Sequence, residues 1–96
     1  MLTNKIKKNT DWEIVDNKLH KILIFKSFMD SINFISEIAL YIDKTDHHPE
    51  WKNIYNKLEI KLITHNKNEI TDKDIKLANK IDELFKSKYK NKEQIN

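Results

Sequence analysis

The chain contains no glycine in its 96 residues, and this absence constrains its turns more than any other feature. Tight turns and helix ends use backbone positions with positive φ, which glycine adopts at little cost and other residues adopt less readily. Asparagine is the natural substitute because it tolerates positive φ better than most residues. We therefore expect left-handed positions at asparagines in predicted turns, namely Asn17, Asn66 and Asn68.

Length and composition predict one globular domain over residues 1–96, with loosely ordered ends at 1–11 and 87–96. A chain of 11.6 kDa with 39% hydrophobic and 34% charged residues can bury one modest core. There is no cysteine, so disulfides, thiolate metal sites and a cysteine nucleophile are excluded. A domain of this size without disulfides depends on packing or self-association, and we expect a homo-oligomer.

The distribution of charge and hydrophobicity disfavours several classes of function. All 18 basic residues are lysine, so the arginine forks that read guanine edges are missing, and we expect no direct nucleic-acid binding. No run of about 18 apolar residues is present, so we expect no membrane span. The start of the chain lacks the apolar stretch of a signal peptide, which predicts an intracellular, cytoplasmic protein.

The first half of the chain predicts a β-hairpin followed by a long helix. Trp12 to Val15 is β-prone, Asp16-Asn17 suits a tight turn, and Leu19 to Lys26 has the pattern of a central strand covered in part on both faces. Ser27 and Asp30 have the form of a capping box that starts the helix. The helix carries two adjoining apolar stripes, wider than one sheet requires, which indicates a partner. The stripes are Phe28, Ile32, Ile35, Ala39 and Ile42, and beside them Phe34, Ile38 and Tyr41.

The second half predicts a strand and a second helix. Residues 54–64 alternate between apolar and polar side chains, which predicts one long, half-exposed strand. Thr71 and Asp74 form another capping box, so that the last helix begins near Asp72. The order strand, strand, helix, strand, helix predicts an α+β fold, a single-domain two-layer sandwich with an antiparallel sheet and helices on one face.

Four histidines are the candidate proton-transfer groups. His47 and His48 lie between the first helix and the third predicted strand, His65 lies at that strand's end, and His20 lies within a strand. Histidine titrates nearest neutrality, and loops fixed by a scaffold often carry catalytic residues. The alternative is that these are surface histidines that only form hydrogen bonds.

Pro49 and Trp51 shape the segment that follows the paired histidines. Pro49 forces His48 toward extended geometry and ends the helix at or before His47. Trp51 could form the roof of a pocket by stacking on a flat ring, or it could be a core or interface anchor.

A metal site and a nucleophilic serine are both disfavoured. His47 and His48 are neighbours on an extended segment and point apart, and the usual zinc spacings are missing even if His65 and an aspartate are added. The serines lie in helical contexts without the glycine-bracketed elbow of a nucleophile.

Three strings of residues carry a family resemblance: Asp46-His47-His48-Pro49-Glu50-Trp51, Asn53-Ile54-Tyr55-Asn56-Lys57-Leu58, and Thr64-His65. They resemble the pterin-4a-carbinolamine dehydratase family. The likeness extends through Phe25-Lys26-Ser27-Phe28 upstream and residues 70–78 downstream, and covers roughly residues 12–85. It implies a four-stranded antiparallel sheet with helices packed on one face, assembled as a homodimer or homotetramer.

The resemblance also implies an activity. The substrate would be a reduced pterin, 4a-hydroxytetrahydrobiopterin, which loses water to give quinonoid dihydropterin during tetrahydrobiopterin recycling beside an aromatic amino-acid hydroxylase. Such an enzyme needs neither metal nor cofactor, and it suits histidine general acid and base catalysis. The family implies one alternative, a non-enzymatic adaptor that helps a homeodomain transcription factor to dimerise through its helical face, with the nucleus as a possible location.

Carried over residue by residue, the family's three active-site histidines fall on His47, His48 and His65. We expect His47 and His65 to be the acid and base, and His48 to hold the pterin. Asp74 matches the family's supporting acid and is expected to orient His65, while Trp51 matches the pocket tryptophan. The other expected binding or supporting residues are Asp43, Asp46, Pro49 and Thr64.

The chain departs from the family pattern at two positions. Glu69 stands where the family usually has glycine before the last helix, so the left-handed position falls either on Glu69 or on Asn68. Asp43 is shorter than the acid that family members often carry near the paired histidines. The segment before Trp12 is also shorter than the N-terminal helical segment that is usual in the family.

Overall fold

The structure is an α+β sandwich in which two helices cover one face of a four-stranded antiparallel sheet. It is a computed structural model that describes residues 11–90. The sheet order is β1-β2-β4-β3, and all neighbouring strands are antiparallel. The predicted fold class and the four-stranded sheet implied by the resemblance are confirmed. The elements are β1 (Glu13–Val15), β2 (Lys18–Ile24), α1 (Phe28–Thr45), β3 (Glu50–Ile54), β4 (Lys57–Leu62) and α2 (Asp72–Leu84).

The hydrophobic core lies between the sheet and the two helices. Leu58, Ile60 and Leu62 alternate toward it from β4 and are fully buried. Burial of each such side chain stabilises the fold by about 1.5–3 kcal/mol. The same core includes Leu19, Leu23, Phe34, Ile38, Ile42, Ile75, Leu77, Ala78 and Ile81.

The central position of β2 is confirmed, but the prediction that both of its faces are covered is wrong. β2 pairs with β1 on one side and β4 on the other. Leu23 faces the helices, whereas Ile22 and Ile24 lie on the opposite, outer face and are exposed. No helix covers the outer face within residues 11–90.

The predicted strand over residues 54–64 is wrong, because the chain reverses within it. A turn at Tyr55 and Asn56 separates β3 from β4. The reversal pairs Ile54 with Lys57 and turns both toward the outer face, while Leu58 enters the core. The apolar alternation continues across the turn, which is why it resembles one strand in the sequence.

Tertiary hydrogen bonds hold this turn in place. Tyr55 has a φ of 53°, and its carbonyl accepts from Ser31 Oγ at 3.1 Å. Phe25 N donates to Asn56 O at 2.8 Å, and Asn56 Nδ2 donates to Phe25 O at 2.9 Å. Asn53 Nδ2 donates to the Lys57 carbonyl at 2.9 Å. The turn is therefore fixed by β2 and α1 as well as by its own strands.

Asparagine and aspartate take most of the left-handed positions, as the absence of glycine predicts. Asp16 and Asn17 have φ values of 51° and 65° in the β1–β2 turn. Asn68 has a φ of 53°, so the left-handed position before α2 lies there rather than at Glu69. Asn66 does not have positive φ, and this part of the prediction is wrong.

Both helices begin at the predicted caps. Ser27 Oγ accepts from Asp30 N at 3.1 Å at the start of α1. α1 ends at Thr45, and the capping residue Asp46, with a φ of 56°, donates its backbone N–H to Ile42 O, in agreement with an end at or before His47. The capping box of Thr71 and Asp74 starts α2 at Asp72. No helix in the described part of the chain is both long and apolar enough to cross a membrane.

The C-terminal end is ordered further than predicted. Residues 85–89 form a π-helical turn after α2. Tyr89 packs against Phe25 and Phe34 with ring centroids 5.8 and 5.7 Å apart, and its hydroxyl bonds to Glu37. Burial, followed by the Glu37 carboxylate, raises the pKa of Tyr89 to about 12, so the hydroxyl remains a donor. The expectation of loose structure from residue 87 is therefore wrong up to Tyr89. Residues 1–10 and 91–96, where we also expected loose ends, lie outside the described residues.

The loop before α2 can be tested by two glycine substitutions. Glu69→Gly should lower the melting temperature, because glycine adds freedom to the unfolded chain by roughly 0.5–1 kcal/mol at a position that does not need positive φ. Asn68→Gly is the matched control and should be neutral or stabilising. If thermal denaturation shows that the two substitutions change the melting temperature equally, or that Asn68→Gly lowers it more than Glu69→Gly, the left-handed position at Asn68 is contradicted.

Candidate active site

The candidate site is built around the carboxylate of Asp74, the third residue of α2. Its side chain is completely buried. One oxygen, Oδ1, lies 2.6 Å from His47 Nε2. The other, Oδ2, accepts from Thr64 Oγ1 at 2.8 Å and from Thr71 N at 2.9 Å. The carboxylate thus joins the end of β4, the start of α2 and the loop after α1.

A chain of hydroxyl groups supports the same carboxylate. Thr64 Oγ1 and Thr71 Oγ1 are 2.6 Å apart. An ionised carboxylate only accepts, so the Thr64 hydroxyl donates to Asp74, and the Thr71 hydroxyl then donates to Thr64. Thr71 Oγ1 in turn accepts from Lys73 N at 3.3 Å. Each hydrogen bond in such a series polarises the next.

His47 is the histidine that Asp74 orients, so the expectation that Asp74 orients His65 is wrong. The His47 side chain is 14% exposed, and its Nε2 faces the carboxylate. Because the carboxylate needs a donor, Nε2 carries hydrogen and Nδ1 is the ring nitrogen left for other work. The left-handed Asp46 ends α1 and turns the chain into this loop.

His48 points elsewhere, into a cleft beside α1. The cleft has a volume of about 490 Å³ and lies between the second half of α1 and the start of β3. His48 is largely exposed, and Asp46 Oδ1 lies 3.8 Å from its Nδ1. Trp51 lines one side of this cleft. The lining residues are Ala39, Leu40, Ile42, Asp43, His48, Pro49 and Trp51.

His65 follows Thr64 directly and lies on the solvent side of the network. Its side chain is 65% exposed, and its Nε2 is 3.4 Å from Glu50 Oε2. The Lys18 ammonium donates to Glu50 Oε1 at 2.9 Å. This hydrogen bond from Lys18 lowers the pKa of the Glu50 carboxyl below its ordinary value. Sequence reasoning did not single out Glu50 or Lys18, which are 32 residues apart in the chain.

The described residues thus bring most of the expected side chains to one end of the sandwich. Asp74 and Thr64 hold His47, and Asp43, Pro49 and Trp51 line the cleft that His48 faces. His47 and His65 do not line that cleft. Within residues 11–90 no group of three histidine, cysteine, aspartate or glutamate side chains could hold a metal ion.

The arrangement offers two imidazoles for proton transfer in different surroundings. His47 is held by a buried carboxylate, and His65 stands in water beside an ionised one. Histidine is suited to both donating and accepting protons near neutral pH. His48 and Trp51 add an imidazole and a flat aromatic surface in the neighbouring cleft beside α1.

A known family matches most of the chain. A family model described as pterin 4 alpha carbinolamine dehydratase matches residues 1–84. The chain therefore belongs to the pterin-4α-carbinolamine dehydratase family, as the resemblance predicted.

Individual relatives cover most of the chain. A protein from Prochlorococcus marinus (strain NATL2A), provisionally named pterin-4-alpha-carbinolamine dehydratase, is 49% identical over 87 residues and covers 90% of each chain. A Brucella ovis protein with the same provisional name is 40% identical over 75 residues, 76% of this chain and 77% of its own. A crystal structure from Brucella melitensis, described as a transcriptional coactivator/pterin dehydratase, has a TM-score of 0.79 and 36% identity over 84% of this chain and 88% of that one.

The importance of the Asp74 network can be tested by truncation. Asp74→Ala removes the half of the capping box that accepts from Thr71 N and leaves Thr64 and His47 without their acceptor, which should lower the free energy of unfolding by about 2–4 kcal/mol. Urea denaturation measures this loss. Glu83→Ala, an exposed acid on the same helix, is the control and should change stability by less than about 0.5 kcal/mol. Similar values for both variants would contradict the central place of Asp74.

Proposed function

We propose that the protein dehydrates pterin-4a-carbinolamine, 4a-hydroxytetrahydrobiopterin, to quinonoid dihydropterin as part of tetrahydrobiopterin recycling. The observation that carries this proposal is the His47–Asp74–Thr64 network with His65 beside it, found in a member of the dehydratase family. The reduced pterin would be supplied by an aromatic amino-acid hydroxylase.

The reaction breaks one carbon–oxygen bond and moves two protons. The C4a hydroxyl accepts a proton and leaves as water, while N5 gives up its proton and its electron pair forms the C4a–N5 double bond. No electrons are exchanged with another molecule, so the site needs one proton donor and one acceptor on different sides of the same carbon. Two histidines held by separate carboxylates meet this need.

His47 and His65 are the acid and base in this proposal. The buried Asp74 fixes the ring of His47 through Nε2, which leaves Nδ1 to exchange a proton with the substrate. His65 is largely exposed and can exchange its proton with water between turnovers. His48 and Trp51 would hold the pterin ring at the cleft, with its reacting edge toward the other two histidines.

An adaptor function is the alternative, and one observation favours it. The Brucella melitensis neighbour is described as both a transcriptional coactivator and a pterin dehydratase. An adaptor would use a helical surface and would not need a proton-transfer pair. The dehydratase proposal is the better supported because the Asp74 carboxylate orients an imidazole as well as capping α2.

Alanine substitutions should separate the roles of the three histidines. His47→Ala and His65→Ala should each lower kcat by about 10² to 10⁴, the usual range for general acid–base catalysis. His48→Ala should act mainly on KM, because it removes binding that is shared by ground and transition states. A stopped-flow assay in which a hydroxylase generates the carbinolamine measures both constants.

His20→Ala is the matched control for these variants. His20 also lies beside a carboxylate, with Nε2 2.8 Å from Glu59 Oε2, but it belongs neither to the Asp74 network nor to the Glu50–His65 contact. It should leave kcat unchanged, and circular dichroism should show all four variants folded. If His47→Ala and His65→Ala are both folded and both turn over the carbinolamine at the rate of the parent protein, the assignment is refuted and the adaptor function is favoured.

Self-association is part of the proposal, with α1 as the contact surface. Ile38, which the sequence places on the wide apolar face, is a core residue, whereas Leu40 and Met29 share an exposed face of α1 at 76% and 57% exposure. Leu40→Glu should therefore lower the molar mass measured by light scattering, and Lys76→Glu, at an exposed lysine on α2, is the control. A monomeric parent protein at micromolar concentration would contradict the proposal.

A further inference from the structure

The carboxylate of Glu50 lies between an ammonium group and the ring of His65. Glu50 Oε1 accepts from Lys18 Nζ at 2.9 Å, and Glu50 Oε2 lies 3.4 Å from His65 Nε2. Glu50 is the first residue of β3, and Lys18 is the first residue of β2. Two rigid strands therefore determine where this negative charge stands.

Glu50 presents a charge rather than a neutral carboxyl group. The hydrogen bond from Lys18 lowers the pKa of Glu50, so the carboxylate is ionised at neutral pH. A carboxylate can only accept hydrogen bonds, and a bare ring nitrogen facing it would be repelled. The negative charge therefore favours hydrogen on the His65 nitrogen that faces Glu50, and Nδ1 is the nitrogen directed away from Glu50.

The backbone around His65 is fixed independently of this contact. Asn68 N donates to His65 O at 3.2 Å, and Thr64 N donates to Glu69 O at 3.0 Å. Asn17 Nδ2, from the β1–β2 turn, donates to Asn68 O at 2.9 Å. These bonds fix the backbone of the loop but not the rotation of the His65 side chain. Contact with Glu50 restricts that rotation.

We propose that Glu50, held by Lys18, is a positioning residue that orients the His65 ring and selects its Nε2–H tautomer. The inference rests on the proposed dehydratase function for its effect on rate. The ring would then present the same nitrogen, Nδ1, to the substrate in every turnover. Asp74 orients His47 in the same way, so each of the two proton-transfer histidines has its own carboxylate.

The outer face of the sheet provides a matched control. Glu59 Oε2 lies 2.8 Å from His20 Nε2, and the hydrogen bond from His20 lowers the pKa of the Glu59 carboxyl. This is the same chemistry on the neighbouring strand β4 and on the same face of the sheet as Glu50, but it involves neither His65 nor Lys18. Glu59→Gln should therefore reproduce the loss of a carboxylate–imidazole pair without changing His65.

The kinetic test compares Glu50→Gln with this control. Glu50→Gln should lower kcat about fivefold, the upper end for an exposed pair, with KM changed by less than about twofold. Glu59→Gln should leave both constants unchanged. In a background of His65→Ala, Glu50→Gln should have no further effect on kcat, since it acts through His65. Full additivity of the two substitutions would overturn the proposal.

A spectroscopic test does not depend on activity. In ¹⁵N-labelled protein, ring-nitrogen shifts report which nitrogen of each neutral histidine carries hydrogen. We expect His65 to be protonated at Nε2 in the parent, and Glu50→Gln and Lys18→Met to raise the share of the Nδ1–H form. Glu59→Gln should change His20 alone. If the ring-nitrogen shifts of His65 do not change in Glu50→Gln, the pairing is overturned, even if the enzyme is active. If the shifts change as expected but the protein does not turn over carbinolamine, only the proposed function is refuted.

Discussion

The buried Asp74 carboxylate is the interaction on which the rest of the site depends. A charge removed from water costs several kcal/mol unless hydrogen bonds replace its hydration. Here Thr71 N, the Thr64 hydroxyl and His47 Nε2 do so, and they come from three separate segments. If any one of these segments moved away, the carboxylate would lose a hydrogen bond that replaces its hydration. The same interaction therefore caps α2, anchors the end of β4 and holds a catalytic candidate in place.

Local signals predicted the parts of the fold that local contacts determine. The capping residues Ser27 and Thr71 mark the starts of both helices, and Asn17 marks the first hairpin. The turn at Tyr55 has no such signal, because an aromatic residue with positive φ is unusual and is held there by Ser31 and its neighbours. The position of that turn is a tertiary result, which periodicity over residues 54–64 could not reveal.

The site shows the same division between local and distant contacts. The paired histidines and His65 could be singled out from the sequence, and Asp74 could be recognised as a capping residue. Its imidazole partner could not be determined, because this depends on how the loop carrying His47 crosses the start of α2. Glu50 lies between a proline and a tryptophan in the sequence, but its role could not be recognised there. That role depends on Lys18, which reaches Glu50 from β2 past the end of β4.

The absence of glycine bears directly on the site, because left-handed residues adjoin both proton-transfer loops. Asp46 precedes His47, and Asn68 lies three residues after His65. Non-glycine residues in this conformation cost of order 1 kcal/mol or more and persist only when surrounding contacts hold them. Asp46 N bonds to the end of α1, and Asn17 Nδ2 bonds to the Asn68 carbonyl. These residues also have fewer backbone states to lose on folding than glycine, so the loops that carry the histidines are ordered at a lower entropic cost.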